Sequence, residues 1–138
     1  MIADLRFHHI GLACRDIAAE AQALGVLGYR AEGDVFEDSA QGIMGRFYNG
    51  PGPRMELLAA LPGSTVLEPY LRSAARMYHQ AFEVDEMQDA IAGLLSDRAR
   101  LIRAPIPAVA FGGREIAFVM LRNMLMVELI QAPTVHDD

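Results

Sequence analysis

The chain has 138 residues, of which 52% are hydrophobic and 22% charged, and its formal net charge is −6. This length suits one domain with a sizeable core, and no apolar stretch reaches the roughly 18 residues that a membrane-spanning helix needs. The negative charge argues against a nucleic-acid surface, and the single cysteine excludes an internal disulfide and fits a reducing compartment. We therefore expect a cytoplasmic domain that binds neither nucleic acid nor membrane.

The first half of the chain has the pattern of a strand, a helix and three more strands. Apolar periodicity predicts the strands at 7–14, 29–37, 43–49 and 54–61. The helix is expected to begin after Asp16, which is a favourable N-cap residue, and a Gly-Pro-Gly-Pro turn separates the last two strands. A short helix over 65–75, capped by Ser64, is expected to follow.

The second half repeats this order of elements. Strands are predicted at 76–84, 100–105, 114–121 and 124–132. Asp85 is the predicted N-cap of the helix between the first two strands, and 105–113 is expected to be a loop. The sequence therefore predicts an α+β protein of two tandem βαβββ modules, about 5–61 and about 75–133, within a single domain spanning 1–138.

Four polar residues occupy matching places in the two halves. Aligning His9 with His79 superimposes FHHIGLACRDI on MYHQAFEVDEM, and the strand MELLAA then matches VELIQA. Glu56 follows His9 by 47 residues, and Glu128 follows His79 by 49. Each half thus carries one histidine on its first strand and one glutamate on its last, and internal repeats of this kind indicate a shared structural role.

The two glutamates interrupt apolar strands, where an unpaired carboxylate is costly. Two imidazoles and two carboxylates from His9, Glu56, His79 and Glu128 would suit a divalent ion such as Zn, Ni, Co, Mn or Fe, and the ligand types do not select among these metals. His8 aligns with Tyr78 instead of a second histidine, and strand alternation turns it to the opposite face from His9. We predict that His9 is a ligand and that His8 is not.

The segments around these residues resemble the vicinal oxygen chelate superfamily, which includes glyoxalase I, methylmalonyl-CoA epimerase, extradiol dioxygenases and the bleomycin resistance proteins. The similarity runs from Phe7 to about Pro133 and is carried by HIGLACRDI, MELLAAL, YHQAFEVDEM and VELIQAP. It implies a glyoxalase-like fold, in which two modules form a cupped mixed sheet around a metal ion. It also implies that the four aligned residues are the metal ligands.

The resemblance further implies an enzyme that stabilises an enolate of a small oxygen-chelating substrate. MELLAALPGSTVLEPYL and AFGGREIAFVML are most similar to the epimerases, so a metal-dependent epimerase or isomerase of a 2-substituted acyl-CoA such as methylmalonyl-CoA is the first hypothesis. Glu56 and Glu128 would be its catalytic acid-base groups. The alternatives are a lactoylglutathione lyase of the glyoxalase I type and a non-enzymatic drug-binding or resistance protein.

Three further side chains are weaker candidates for a substrate pocket. Tyr48 and Tyr78 could line it, and Arg114, which follows a Gly-Gly pair, could hold a carboxylate or phosphate. The superfamily resemblance also leads us to expect a homodimer.

Overall fold

The structure is a computed structural model that describes residues 2, 4–73 and 76–134. The elements of the first half are β1 (Arg6–Ala13), α1 (Ile17–Gly25), β2 (Arg30–Asp38), β3 (Ile43–Asn49), β4 (Met55–Ala60) and α2 (Glu68–Leu71). Those of the second half are β5 (Met77–Val84), α3 (Met87–Leu95), β6 (Arg100–Pro107), β7 (Glu115–Met120) and β8 (Met126–Gln131). The order βαβββ occurs twice, which confirms the predicted α+β class.

The chain divides into two compact units whose boundaries fall inside strands. The N-terminal unit comprises His9–Tyr78, and the C-terminal unit comprises the residues before His9 together with those from His79 onward. The start of β1 therefore belongs to the C-terminal unit, and the start of β5 to the N-terminal unit. The module limits 5–61 and 75–133 stay a prediction, and residue 75 lies outside the described residues.

In the N-terminal unit the strand order is β2-β3-β4-β1, with β1 parallel to β4 and the other pairs antiparallel. On one side of these strands, Cys14, Tyr48 and Leu57 form a buried cluster against which Leu24 of α1 packs. A separate cluster around Ala13, Ile43, Leu58 and Leu67 receives side chains of α2. Because strand side chains alternate, α1 covers one face of these strands, and Glu56 and Leu58 lie on the opposite face.

The C-terminal unit has the corresponding order β5-β8-β7-β6, with β5 parallel to β8. Its core lies under α3, where Met87, Ala90 and Ile91 are buried. They pack against Val119 and Leu129 of the sheet, which are fully buried. The three helical residues recur at helical spacing, so one stripe of α3 faces the sheet and the remainder faces solvent.

The helix N-termini only partly follow the sequence prediction. Asp16 caps α1 as expected, because its Oδ1 accepts hydrogen bonds from the backbone N–H groups of Ala18 at 2.9 Å and Ala19 at 3.3 Å. Asp85 does not cap α3, since the N-cap position is Glu86, which makes no side-chain cap hydrogen bond. The side chain of Asp85 instead pairs with Arg6, at 2.9 Å from its Nη2.

The helix predicted over 65–75 is shorter than expected and begins later. It covers Glu68–Leu71 with Leu67 at the N-cap, while Ser64 accepts a hydrogen bond from the backbone of Val66 at 3.4 Å instead of capping the helix. Residues 74 and 75 lie outside the described residues. Pro69 near the start of the helix fits its first turn, where a missing N–H costs nothing.

The loop predicted over 105–113 is partly strand. β6 continues through Pro105 to Pro107, and a single 3-10 turn follows at Val109–Phe111. Proline is tolerated here because β6 is the last strand in the sheet order, and its pairing with β7 shifts register between Arg103 and Ile106. Among the described residues, no helix is long and apolar enough to cross a membrane.

Candidate functional site

The N-terminal unit contains a buried histidine and glutamate in direct contact. His9 is completely buried and Glu56 is 4% exposed. The Nε2 atom of His9 lies 3.1 Å from Oε1 of Glu56. The sequence repeat predicted both residues, and the fold brings them together although 47 residues separate them along the chain.

The register of β1 and β4 explains this contact. Glu56 lies opposite Gly11 on the parallel neighbour strand. Gly11 is two residues beyond His9, so its position lies on the same face of β1 as the histidine. The carboxylate of Glu56 reaches along this face to His9.

The C-terminal unit repeats the arrangement. His79 is 2% exposed, Glu128 is 3% exposed, and Nε2 of His79 lies 3.2 Å from Oε1 of Glu128. In this unit Glu128 lies opposite Ala81, which is again two residues beyond the histidine and is fully buried. A small residue therefore lies opposite the glutamate in both units.

A phenylalanine completes each pair, and the sequence analysis did not identify it. Phe47 lies opposite Glu56 in the β3–β4 register, and its ring meets that of His9 edge-on at a centroid distance of 5.1 Å. Phe118 lies opposite Glu128 and meets His79 in the same way at 5.3 Å. Extending the repeat to the third strands would have found both, because Phe47 precedes Glu56 by nine residues and Phe118 precedes Glu128 by ten.

His8 has a different environment from His9. It is only partly buried, and its ring packs edge-on against Phe111 at a centroid distance of 5.4 Å. The group of residues with ligand atoms suited to a metal ion includes His9 and does not include His8.

Tyr48, Tyr78 and Arg114 are the three weaker pocket candidates. The contacts described for them here are with residues outside the two His–Glu pairs. Tyr48 lies in the cluster against α1, one position along β3 from Phe47 and hence on the other face. Tyr78 packs against Tyr70 at a ring distance of 4.7 Å, and burial raises the pKa of the Tyr70 hydroxyl. Arg114 donates from Nη1 to Glu83 at 2.9 Å and to the carbonyl of Gln131 at 2.9 Å.

One further carboxylate, that of Asp38, is buried in the N-terminal unit. It is 2% exposed and accepts hydrogen bonds from the backbone N–H of Gln41 at 3.3 Å and from its side-chain amide at 2.9 Å. These bonds close the turn between β2 and β3, a role typical of aspartate.

The residues that could hold a metal ion are His9, Glu56, His79 and Glu128, each offering one ligand atom. Two ligands that each lie about 2.1 Å from an ion, at right angles to one another, are roughly 3 Å apart. The distances within the two pairs, 3.1 and 3.2 Å, are compatible with this spacing. Imidazole and carboxylate donors together are also a common set for divalent transition ions, so the residues fit such an ion.

The sequence profile of the Glyoxalase/Bleomycin resistance protein/Dioxygenase superfamily matches residues 8–118. The chain therefore belongs to this superfamily, as its motifs predicted. A search of curated protein sequences finds no match.

Solved structures share the fold along nearly the whole chain. A hypothetical protein, BH1468 from Bacillus halodurans C-125, is 19% identical with a TM-score of 0.80, and the alignment covers 98% of this chain and 99% of that one. Methylmalonyl-CoA epimerase from Mycobacterium tuberculosis is 22% identical with a TM-score of 0.76, covering 96% and 94%. A methylmalonyl-CoA epimerase in complex with methylmalonyl-CoA and NH4+ is 19% identical with a TM-score of 0.71, covering 97% and 99%. At these identities the likeness establishes the glyoxalase-like fold.

Proposed function

We propose that this protein is a metal-dependent isomerase or epimerase whose divalent ion is held by His9, Glu56, His79 and Glu128. The observation that carries the proposal is the pair of matching His–Glu contacts, each buried and each with a nitrogen–oxygen distance close to that of two ligands of one ion. Four buried ionisable side chains are expensive to maintain in an apolar sheet unless they are paired or bound to an ion. Superfamily membership is a second, independent support.

The chemistry proposed for the site is the removal and return of a proton next to a carbonyl. A bound divalent ion would polarise the substrate carbonyl as a Lewis acid. Each glutamate offers one oxygen as a ligand atom, and the second oxygen of the same carboxylate is suited to take the proton and deliver it again. Glu56 and Glu128 come from different strands, so we propose that one acts as the base and the other as the conjugate acid. His9 and His79 would hold Glu56 and Glu128 in position through these contacts.

The first substrate class to test is a 2-substituted acyl-CoA such as methylmalonyl-CoA. Solved structures that share this fold include epimerases of that compound, one of them with methylmalonyl-CoA bound. The His-Glu-His-Glu order also resembles bacterial glyoxalase I, so the hemithioacetal of glutathione and methylglyoxal is the second candidate. Both reactions begin with proton abstraction from carbon, and they differ in the substrate that the protein accepts.

The test is exchange of the C2 proton of methylmalonyl-CoA in deuterated buffer, followed by proton NMR after the protein has been loaded with Co²⁺ or Zn²⁺. We expect exchange with the wild type and a loss of at least 100-fold in Glu128→Gln, because the amide cannot accept the proton. Glu115→Gln is the matched control, since Glu115 is exposed on the neighbouring strand, and its rate should equal that of the wild type.

Parallel measurements separate the alternatives. Turnover of the hemithioacetal without acyl-CoA exchange would assign the lyase function. Metal-free protein that binds an aromatic drug and catalyses neither reaction would replace the enzyme proposal with sequestration. Full activity of Glu128→Gln would contradict the catalytic assignment. The expected homodimer is tested in the same preparation by analytical ultracentrifugation.

A further inference from the structure

A cation lies over the phenylalanine that touches His9. In the N-terminal unit the guanidinium carbon of Arg54 lies 4.6 Å from the centre of the Phe47 ring. Arg54 is held there by Glu32, whose Oε2 accepts from Nε of Arg54 at 3.1 Å and whose Oε1 contacts Nη2. Asn49 also donates to Glu32. Glu32 of β2 therefore holds the guanidinium at the ring, and Asn49 of β3 in turn holds Glu32.

The corresponding place in the C-terminal unit carries no charge. Arg54 precedes Glu56 by two residues, and the residue two before Glu128 is Met126. Met126 is 7% exposed and belongs to the buried residues of the sheet. The aromatic contacts themselves are alike, with ring distances of 5.1 and 5.3 Å. The sequence position that supplies the cation in the N-terminal unit is therefore occupied by an apolar residue in the C-terminal unit.

We propose that Arg54 is a positioning residue for His9 and that it acts through Phe47. A guanidinium held over an aromatic face resists displacement of the ring. The rings of Phe47 and His9 pack in a T-shaped pair at an interplanar angle of 84°, so fixing the Phe47 ring limits rotation of the imidazole. His9 then keeps its Nε2 directed at Glu56, and the residues that orient a ligand contribute to its affinity for metal. The metal readout of this inference rests on the proposed function, and the spectroscopic readout does not.

The test compares Arg54→Met, which introduces the residue of the matching position, with wild-type protein. In metal-free full-length protein, the imidazole ¹⁵N resonances of His9 should broaden or shift, while those of His79 should not change. Zn²⁺ binding measured by calorimetry should weaken by about three-fold to ten-fold, the range of a partly exposed cation–π contact. Arg54→Lys should recover part of the loss because it keeps the positive charge.

Arg46→Met is the matched control. Arg46 lies on β3 next to Phe47 and donates from Nε to the carbonyl of Gly33 at 2.8 Å, so its removal deletes an arginine without touching the ring contact. Unchanged His9 resonances in Arg54→Met would overturn the inference, as would equal changes at His9 and His79. If the wild-type protein binds no Zn²⁺, the proposed function fails while the His9 resonances still decide the positioning role.

Discussion

Small residues lie opposite both glutamates of the site. Gly11 and Ala81 lie opposite Glu56 and Glu128 in the parallel strand pairs, each two residues beyond its histidine. The sequence repeat contains both small residues, but only the strand register shows that they lie opposite the glutamates.

Burial also sets the acidity of the thiol of Cys14, the single cysteine of the chain. Cys14 is 1% exposed and packs with Tyr48 and Leu57. Burial, with a smaller contribution from the negative charge of Glu20, raises the pKa of the Cys14 thiol from 9.0 to about 11. The folded protein therefore keeps this cysteine protonated at neutral pH, which makes the thiol unreactive.

A pH-dependent loss of stability follows from the raised pKa of Cys14. The stability that the protein gains by burying a neutral thiol is fully present below pH 9, where the thiol is neutral in both the folded and the unfolded state. This stability is lost as the pH rises from 9 toward 11, because in that range only the unfolded thiol ionises. Relative to Cys14→Ala, the wild type should lose up to about 1.4 kcal/mol of unfolding free energy per pH unit in this window. Urea unfolding of both proteins at pH 8, 9, 10 and 11 measures the difference, and parallel curves for the two proteins would contradict the prediction.

At the scale of single elements, the start of α3 shows how a tertiary contact can replace a local cap. Asp85 is a favourable capping residue by sequence, yet Arg6 binds its carboxylate. Oε1 of Gln131, at the end of β8, accepts from the backbone N–H of Met87 at 3.1 Å, and its Nε2 donates to the carbonyl of Asp85 at 2.6 Å. A residue 44 positions away thus satisfies the first turn of the helix.

The amide of Gln131 should therefore contribute measurably to stability. We expect Gln131→Ala to lower the free energy of unfolding by about 1 kcal/mol, because it leaves the backbone N–H of Met87 and the carbonyl of Asp85 without this side-chain partner. Urea unfolding at pH 7 is the measurement. Gln88→Ala is the control because Gln88 is exposed on the same helix, and its effect should stay within about 0.5 kcal/mol of zero. Equal effects of the two substitutions would show that Gln131 is not a cap.

The edge strands show a second limit of local patterns. Prolines at 105 and 107 indicate a break in a central strand, but they are compatible with β6 because it has a neighbour on one side only. β2, at the other end of the strand order, also shifts register, between Glu32 and Phe36, with Gly33 at a positive φ of 75°. Whether a strand lies at an edge depends on the other strands, so the pattern of one segment cannot reveal it.

At the scale of the whole molecule, the proposed metal ion should stabilise the fold. An ion that binds only the folded state adds about 2.7 kcal/mol at one hundred times its dissociation constant, which corresponds to a rise in Tm of roughly 5 to 10 °C for a chain of this size. Differential scanning calorimetry with Zn²⁺ and after chelation measures it. His9→Ala should abolish most of the rise in Tm, because it removes one of the four proposed ligands, the one in contact with Glu56.

His8→Ala is the matched control for this measurement. It removes the neighbouring histidine, whose ring contacts Phe111, and it should leave the rise in Tm with Zn²⁺ unchanged. Equal losses in His8→Ala and His9→Ala would show that the two adjacent histidines do not point to opposite faces of β1 as predicted.

The sequence by itself determined the order of elements, the cap of α1, the superfamily and the four residues proposed as ligands. The order of elements and the cap follow from local patterns, and the four residues follow from a repeat that can be aligned without a structure. The superfamily was identified from the resemblance of its motifs. Only the tertiary structure decided that Tyr48 faces α1 and that Gln131 caps α3. Each of these depends on strand register or on a contact between distant segments, and such contacts form only when the chain is folded.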